Sequence, residues 1–171
     1  EVREPDMHDP SSDFRRLQEA LAAQWGLTDI RADTAVLRGL QKALRAGEWK
    51  VTAAIRKGRD LVALFPGFRD TLRGLAVDIG STTIAAHLCD LVTGDVLASS
   101  GLMNPQIRFG EDLMSRVSYV MMNPGGDAEM TAAVRGALQE LAAAVAAEAG
   151  IGTDEILEVT VVGNPIMHHL F

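Results

Sequence analysis

Three strand-like runs, Leu72 to Ile79, Thr83 to Leu91 and Val96 to Leu102, follow one another with only a few residues between them. Connectors that short can only reverse the chain, so the runs are expected to form consecutive antiparallel strands of one sheet. Val92-Thr93-Gly94-Asp95 reads as an ordinary hairpin turn between the second and third. The first reversal is different. In "GLAVDIGSTTIAAHL" the apolar run Leu75-Ala76-Val77 is broken by Asp78, then by Gly80-Ser81-Thr82-Thr83, before β-favouring residues resume at Ile84.

Beyond the third run the pattern becomes helical. The loop "MNPQIRFG" leads into a helix expected from about Glu111, with Leu113, Met114, Val117 and Met121 inward and two acids in a first turn that suits them. Asn123-Pro124-Gly125-Gly126 breaks it, and Asp127 is read as the cap of a long Ala-rich helix to Ala149. Met130, Val134, Leu138, Leu141 and Val145 form its apolar stripe, and Gly150 ends it. A fourth strand, Leu157 to Val162, follows. The order is β-β-β-α-α-β, an α/β arrangement with no internal repeat.

The first seventy residues read as a smaller α+β unit. Glu1 to Ser12 is polar, with Pro5 and Pro10, and is expected to be a linker or an opening strand. A helix from about Asp13 to Trp25 carries Phe14, Leu17, Leu21 and Trp25 on one face and stops at Gly26. A second, Thr34 to Arg45, is capped by Asp33 and closed by Gly47, with Val36, Leu37, Leu40 and Leu44 on its apolar face. Two strands, Trp49 to Arg56 and Asp60 to Phe65, join through Lys57-Gly58-Arg59, and Pro66-Gly67 ends the unit. Trp25 and Trp49 are expected to anchor its core. The domain boundary is placed after residue 71, giving units 1–71 and 72–171.

Charge and composition exclude several functions. The 171 residues carry a formal net charge of −7. Nucleic-acid surfaces need clustered Lys and Arg, so nucleic acid is excluded as a partner. No apolar run reaches the roughly 18–20 residues of a membrane span, and no secretory signal is present, which excludes a membrane partner and points to the cytoplasm. The single cysteine, Cys89, excludes a disulfide framework or a cysteine-held metal site within the chain. The chain begins at Glu1 and ends at Phe171 within an unfinished element, so a longer parent protein is expected.

The composition of the first reversal has a chemical reading. Gly80 permits positive φ and close backbone approach. Ser81, Thr82 and Thr83 set hydroxyl donors beside backbone N–H groups, a neutral cradle for phosphate oxygens. Asp78 cannot touch a phosphate directly, since two like unit charges at ~4 Å and an effective dielectric near 20 repel by about 4 kcal/mol. A carboxylate fits there when magnesium with its waters lies between the anions. The turn therefore reads as a magnesium–nucleotide phosphate hairpin, or else as a plain hairpin with polar turn residues. It is not a Walker A loop, because no lysine follows and the next element is a strand; nor does it hold Gly-x-Gly-x-x-Gly.

This Asp-x-Gly-Ser/Thr-Thr turn resembles the phosphate-binding strand-turn of the acetate and sugar kinase, heat-shock chaperone and actin superfamily, whose lobes are ribonuclease H-like. Three longer stretches, "LAVDIGSTTIAAHLCDLVTGDVLAS", "NPQIRFGEDLMSRVSYVM" and "EVTVVGNPIMHHLF", resemble more closely the ATP-dependent reductive activators of corrinoid proteins. "WGLTDIRADTAVLRGLQKALRAGEWKVTAAI" resembles that family's middle domain, so the likeness covers nearly the whole chain. It implies that residues 1–71 are the middle domain and residues 72–171 the first part of an actin-like ATPase domain.

By the same resemblance, Asp78 is the catalytic carboxylate, acting through magnesium-bound water rather than as a direct ligand. Gly80, Ser81, Thr82, Thr83, Gly163 and Asn164 are the cofactor-binding positions, for ATP with Mg2+. The parent protein would return Co(II) corrinoid to Co(I), with a 2Fe–2S domain before Glu1 and the remaining nucleotide segments after Phe171. The fragment alone is then expected to bind nucleotide weakly. Its partners would be a corrinoid protein and an electron donor, with a homodimer left open. Pro165 stands where the family pattern has a small hydroxyl residue, so no side-chain role is carried over to it. A small-molecule kinase of the same superfamily and an actin-like nucleotide-gated scaffold are the alternatives, and the lead-in stretch favours the activator over both.

Other positions have plainer readings. Asn164 suits a helix cap at a strand-to-helix turn as well as it suits a ligand. His168 and His169 would point about 100° apart on a helix and make a poor metal pair. His87 and Cys89 are strand residues. Asp112 and Arg116, four apart, are expected to form a surface ion pair worth about a few tenths of a kcal/mol, or to line a cleft with Asn104-Pro105-Gln106. Met103, Met114, Met121, Met122 and Met130 are expected in the core.

Overall fold

The computed structural model describes residues 1–171, which divide into two units, Glu1–Asp70 and Thr71–Phe171.

In the first unit, helix α1 (Asp13–Trp25) starts at Ser12, whose hydroxyl accepts from the Arg15 N–H. It stops at Gly26 in the left-handed region. A two-residue strand β1 (Arg31–Ala32) precedes α2 (Thr34–Ala46), which Asp33 caps by accepting from the Val36 N–H at 3.0 Å. Strands β2 (Val51–Arg56) and β3 (Asp60–Pro66) pair antiparallel through a turn in which Lys57 and Gly58 both have positive φ, the twist that suits a two-residue hairpin. β1 adds to β3 in parallel, giving the order β1-β3-β2.

Leu17, Leu21, Leu40, Leu44, Trp49 and Leu61 form the core of this unit. Val2 joins them, and its N–H donates to the Trp49 carbonyl at 2.8 Å. Val2 is thus packed chain, whereas Arg3 to His8 are exposed. Trp25 departs from expectation too: it is 75% exposed, because the last turn of α1 runs past the core.

In the second unit, β4 (Arg73–Ile79), β5 (Thr83–Asp90) and β6 (Val96–Met103) form the expected antiparallel meander. A 3₁₀ turn (Pro105–Phe109), α3 (Leu113–Met122) and α4 (Gly126–Glu148) carry the chain to β7 (Ile156–Gly163), which lies parallel to β4. A parallel neighbour requires such a crossover. The sheet order is β6-β5-β4-β7.

Leu75, Val77 and Ile79 of β4, with Ile84, Ala86 and Leu88 of β5, pack against Met130, Val134, Leu141 and Val145 of α4. Burying each such side chain contributes about 1.5–3 kcal/mol. The alternate residues Ala76 and Asp78 are exposed on the other face of the sheet.

The helix starts differ in detail from the sequence reading. Asp112 precedes α3 as its cap, accepting from the Ser115 N–H at 2.7 Å, and Glu111 lies outside the helix. Gly125, in the left-handed region, opens α4 without a side-chain cap, and Asp127 sits in the first turn. Met103, Met114, Met121 and Met122 are exposed, and only Met130 of the five is core. α3 packs Leu113 on the core as expected, but with Arg116, Tyr119 and Val120 beside it instead of Met114 and Met121.

Candidate functional site: the hairpin at the end of the first sheet strand

β4 and β7 are parallel, so both deliver their C-terminal residues to the same end of the sheet. Ile79 lies opposite Gly163 in the register, and Asp78 opposite Val162. The β4–β5 hairpin and the β7 exit therefore meet there, bringing Asp78, Gly80, Ser81, Thr82 and Thr83 beside Gly163 and Asn164. The end of parallel strands is where α/β sheets place ligands. A cavity of about 140 Å3 opens at this end, lined by Ile79, Val162, Gly163 and Met167 among others.

Each position has a distinct local setting. The Asp78 side chain stands on the open face of the sheet, at a residue exposed to solvent. The Gly80 N–H donates to the Thr83 carbonyl at 3.0 Å and closes the turn. A Cβ at Gly80 would lie 2.7 Å from that carbonyl oxygen, so the glycine is required by close approach. Positive φ, the other expected reason, does not apply, since Gly80 is not among the positive-φ glycines. Thr82 and Thr83 are exposed and Ser81 is half-buried. None of the three hydroxyls has a hydrogen bond within the protein.

What the sequence reading missed is how the turn is held from behind. The Gly80 carbonyl accepts from Asn104 Nδ2 at 2.8 Å, and the Thr82 carbonyl accepts from the Asn104 backbone N–H at 2.8 Å. The Ser81 carbonyl accepts from Arg116 Nη2 at 2.6 Å. Asn104 is fixed in turn by accepting from the Gln106 N–H at 2.9 Å, and Gln106 Nε2 donates to the Leu170 carbonyl at 2.7 Å. Three buried polar residues, Asn104, Gln106 and Arg116, thus form a frame under the hairpin. With all three turn carbonyls engaged inward, the N–H groups of Ser81 and Thr82 have no protein acceptor.

The i, i+4 spacing of Asp112 and Arg116 suggested a surface pair, but Arg116 is 0% exposed and forms no ion pair with Asp112. Burial pulls its guanidinium below the usual range, and Asp112 opposes that shift only at a distance. The Asp112 carboxyl is itself held below the usual carboxylate range, chiefly by the Ser115 backbone N–H.

At the β7 exit, Gly163 is tight. A Cβ there would lie 3.2 Å from the Ile79 carbonyl oxygen and 3.3 Å from Met167 Cβ. Asn164 caps the short helix α5 (Pro165–His169), its Oδ1 accepting from the Met167 N–H at 3.0 Å. The hairpin's donor set, two backbone N–H groups and three hydroxyls around a tight glycine, fits phosphate oxygens. No cluster of three or more His, Cys, Asp or Glu side chains is placed to hold a metal. A magnesium ion here would rest on phosphate oxygens and water, as that ion commonly does, with Asp78 available to its waters.

A β-β-β-α-α-β sheet whose first strand ends at such a hairpin is the ribonuclease H-like half-lobe of actin- and sugar-kinase-type domains. The chain belongs to the RACo family: the family's linker region matches residues 1–71, the stretch likened above to a middle domain, and the region that bears the name middle matches residues 73–171. It is similar to the corrinoid activation enzyme RamQ of Eubacterium limosum, 35% identical over 98 residues, which are 57% of this chain and 16% of that protein. It is also similar to a solved structure described as a reductive activator for corrinoid, iron-sulfur protein. That match has a TM-score of 0.79 at 34% identity and covers 100% of this chain and 28% of the other. The chain spans less than a third of the length of either relative. No helix is long and apolar enough to cross a membrane.

Proposed function

We propose that the chain is part of an ATP-dependent reductive activator that returns a Co(II) corrinoid protein to the methyl-accepting Co(I) state. Residues 72–171 are then the first part of its actin-like ATPase domain. Residues 1–71 are the module that orients a 2Fe–2S domain elsewhere in the parent protein or meets the corrinoid partner. The observation that carries this reading is the likeness over the whole chain, lead module included, since a kinase or a filament-forming scaffold has no need of that module. An electron donor for the cluster belongs to the reading, as does a cytoplasmic location. A homodimeric parent is open to sedimentation analysis.

At the hairpin, the Ser81 and Thr82 N–H groups and the hydroxyls of Ser81, Thr82 and Thr83 donate to phosphate oxygens. Asp78 would hold magnesium through its waters, accepting hydrogen bonds from them. Gly80 keeps the turn tight, and Gly163 with Asn164 borders the cleft from the neighbouring strand. Bound ATP would supply binding energy, and binding by itself can shift an unfavourable electron transfer only by the difference in affinity between two states of the protein or its complex. Each ~59 mV of unfavourable one-electron potential costs about tenfold in equilibrium.

The test is calorimetric titration of MgATP into the full-length protein. Asp78→Asn and Thr82→Ala are each expected to weaken binding about tenfold or more, with the thermal midpoint nearly unchanged. Unchanged affinity in both variants would remove the phosphate-hairpin assignment.

A further inference from the structure

Arg116 is the most unusual side chain of the second unit. It is fully buried, yet no carboxylate lies within ion-pair distance of it. Its Nε donates to the Gly110 carbonyl at 2.9 Å and its Nη2 to the Ser81 carbonyl at 2.6 Å, while Nη1 is buried without a partner. The nearest acid in sequence, Asp112, spends its carboxylate on the α3 cap.

A buried cation balanced only by carbonyl dipoles is costly, and natural folds pair or remove such groups unless they serve a purpose. Its surroundings hold it in place. Gly110 packs so closely on the first turn of α3 that a Cβ would lie 2.7 Å from the Arg116 backbone nitrogen, which keeps the Gly110 carbonyl within reach of Nε. The charge sits one hydrogen bond behind Ser81, at a turn whose Ser81 and Thr82 N–H groups and three hydroxyls have no partner within the protein.

We propose that Arg116 is a positioning residue for polyphosphate. It anchors the Ser81 carbonyl so that the turn presents its donors, and it places a desolvated positive charge behind them that favours ligands in proportion to their negative charge. This inference rests on the phosphate-hairpin reading and adds a selectivity to it. The ligand class is a nucleoside di- or triphosphate, recognised through its phosphate tail.

A structural brace and a charge behind the turn respond differently to substitution. Arg116→Met removes both charge and anchor, whereas Arg116→Lys keeps the charge and one donor. Titrating the full-length protein with MgATP, MgADP and adenosine separates the two roles. Arg116→Met is expected to lose about thirty-fold in MgATP affinity, the effect of one charge at roughly 8 Å and an effective dielectric near 20. The loss for MgADP is smaller, adenosine is unaffected, and Arg116→Lys recovers most of the MgATP affinity.

Equal losses for all three ligands, or wild-type MgATP affinity in Arg116→Met, overturn the proposal. If Arg116→Met does not fold, Arg116→Lys and Arg116→Gln carry the test at matched thermal midpoints. Lys must then bind MgATP more tightly than Gln, and equal affinity overturns the proposal. Asp78→Asn, titrated alongside, keeps the two readings apart. If Asp78→Asn weakens MgATP binding and the Arg116 variants do not, only the role of Arg116 falls. If neither weakens it, the hairpin reading falls as well.

Discussion

Each unit of this chain buries one arginine, and the two are treated in opposite ways. Arg16 in the first unit is 4% exposed and bonds the Asp9 carboxylate at 3.0 Å, the Asp13 carboxylate at 3.2 Å and the Asp9 carbonyl at 2.8 Å. Arg116 in the second unit is more deeply buried and meets carbonyls only. A neutralised guanidinium serves as a rivet between α1 and the segment before it. An unneutralised one keeps its field for whatever approaches the turn it supports. The difference separates a residue that holds a fold from one that equips a site.

The largest effect expected from breaking this contrast is at Arg16. Arg16→Met leaves Asp9 to Arg3 and Asp13 to Arg45, and the loss of its own charge-assisted hydrogen bonds should destabilise the first unit by about 3 kcal/mol, read by chemical denaturation. Arg116→Met removes an uncompensated charge while freeing two carbonyls, so its stability cost should stay within about 2 kcal/mol. A reversed order of stability losses would show that the two arginines have the opposite roles.

Next in size is Gly80→Ala. Its Cβ would press on the Thr83 carbonyl, so the turn must open at a cost of about 1–3 kcal/mol, with MgATP binding lost in step. Retained affinity at wild-type stability would mean that the tight turn is incidental.

The smallest effect concerns pH. Hydrogen bonds from Ser11, then Arg16, hold the Asp9 carboxyl well below the usual carboxylate range. A depressed folded-state pKa contributes stability that is present above the unfolded value of about 3.9 and is lost as pH falls through the folded value. The first unit should therefore lose stability progressively below about pH 4, and Asp9→Asn should flatten that slope while lowering stability at neutral pH. A thermal midpoint in Asp9→Asn that tracks the wild type across the acid range would contradict the role given to Asp9.

Much of the fold was legible because local rules and tertiary packing agree. The alternation in β4 and β5, the Asp33 cap and the Gly26 and Gly150 stops all act within a few residues, and short-range chemistry suffices to read them. The misses share one cause, which is that they depend on what lies across space. β1 is two residues long and exists only because β3 offers it an edge. Trp25 continues the apolar rhythm of α1 beyond the reach of the core, and the exposed methionines of α3 follow from that helix turning its arginine inward.

The candidate site was half visible. Asp78 and the glycine-hydroxyl turn announce themselves by interrupting an apolar run. Asn104, Gln106 and Arg116 sit in an adjacent segment, and nothing in their spacing says that they reach carbonyls more than twenty residues away, behind them for Asn104 and Arg116 and ahead for Gln106. One signal was available: a polar Asn-Pro-Gln directly after a strand, followed by an arginine on an otherwise apolar helix.

The central claim is that this hairpin couples ATP to corrinoid reduction, and one measurement meets it directly. The full-length protein, purified and reduced without oxygen, is mixed with a Co(II) corrinoid protein, and the Co(II) electron paramagnetic resonance signal is followed as MgATP is added. The account predicts a loss of signal that depends on MgATP in the wild type and is largely absent in Asp78→Asn. Loss of signal without nucleotide, or equal loss in both proteins, would contradict it.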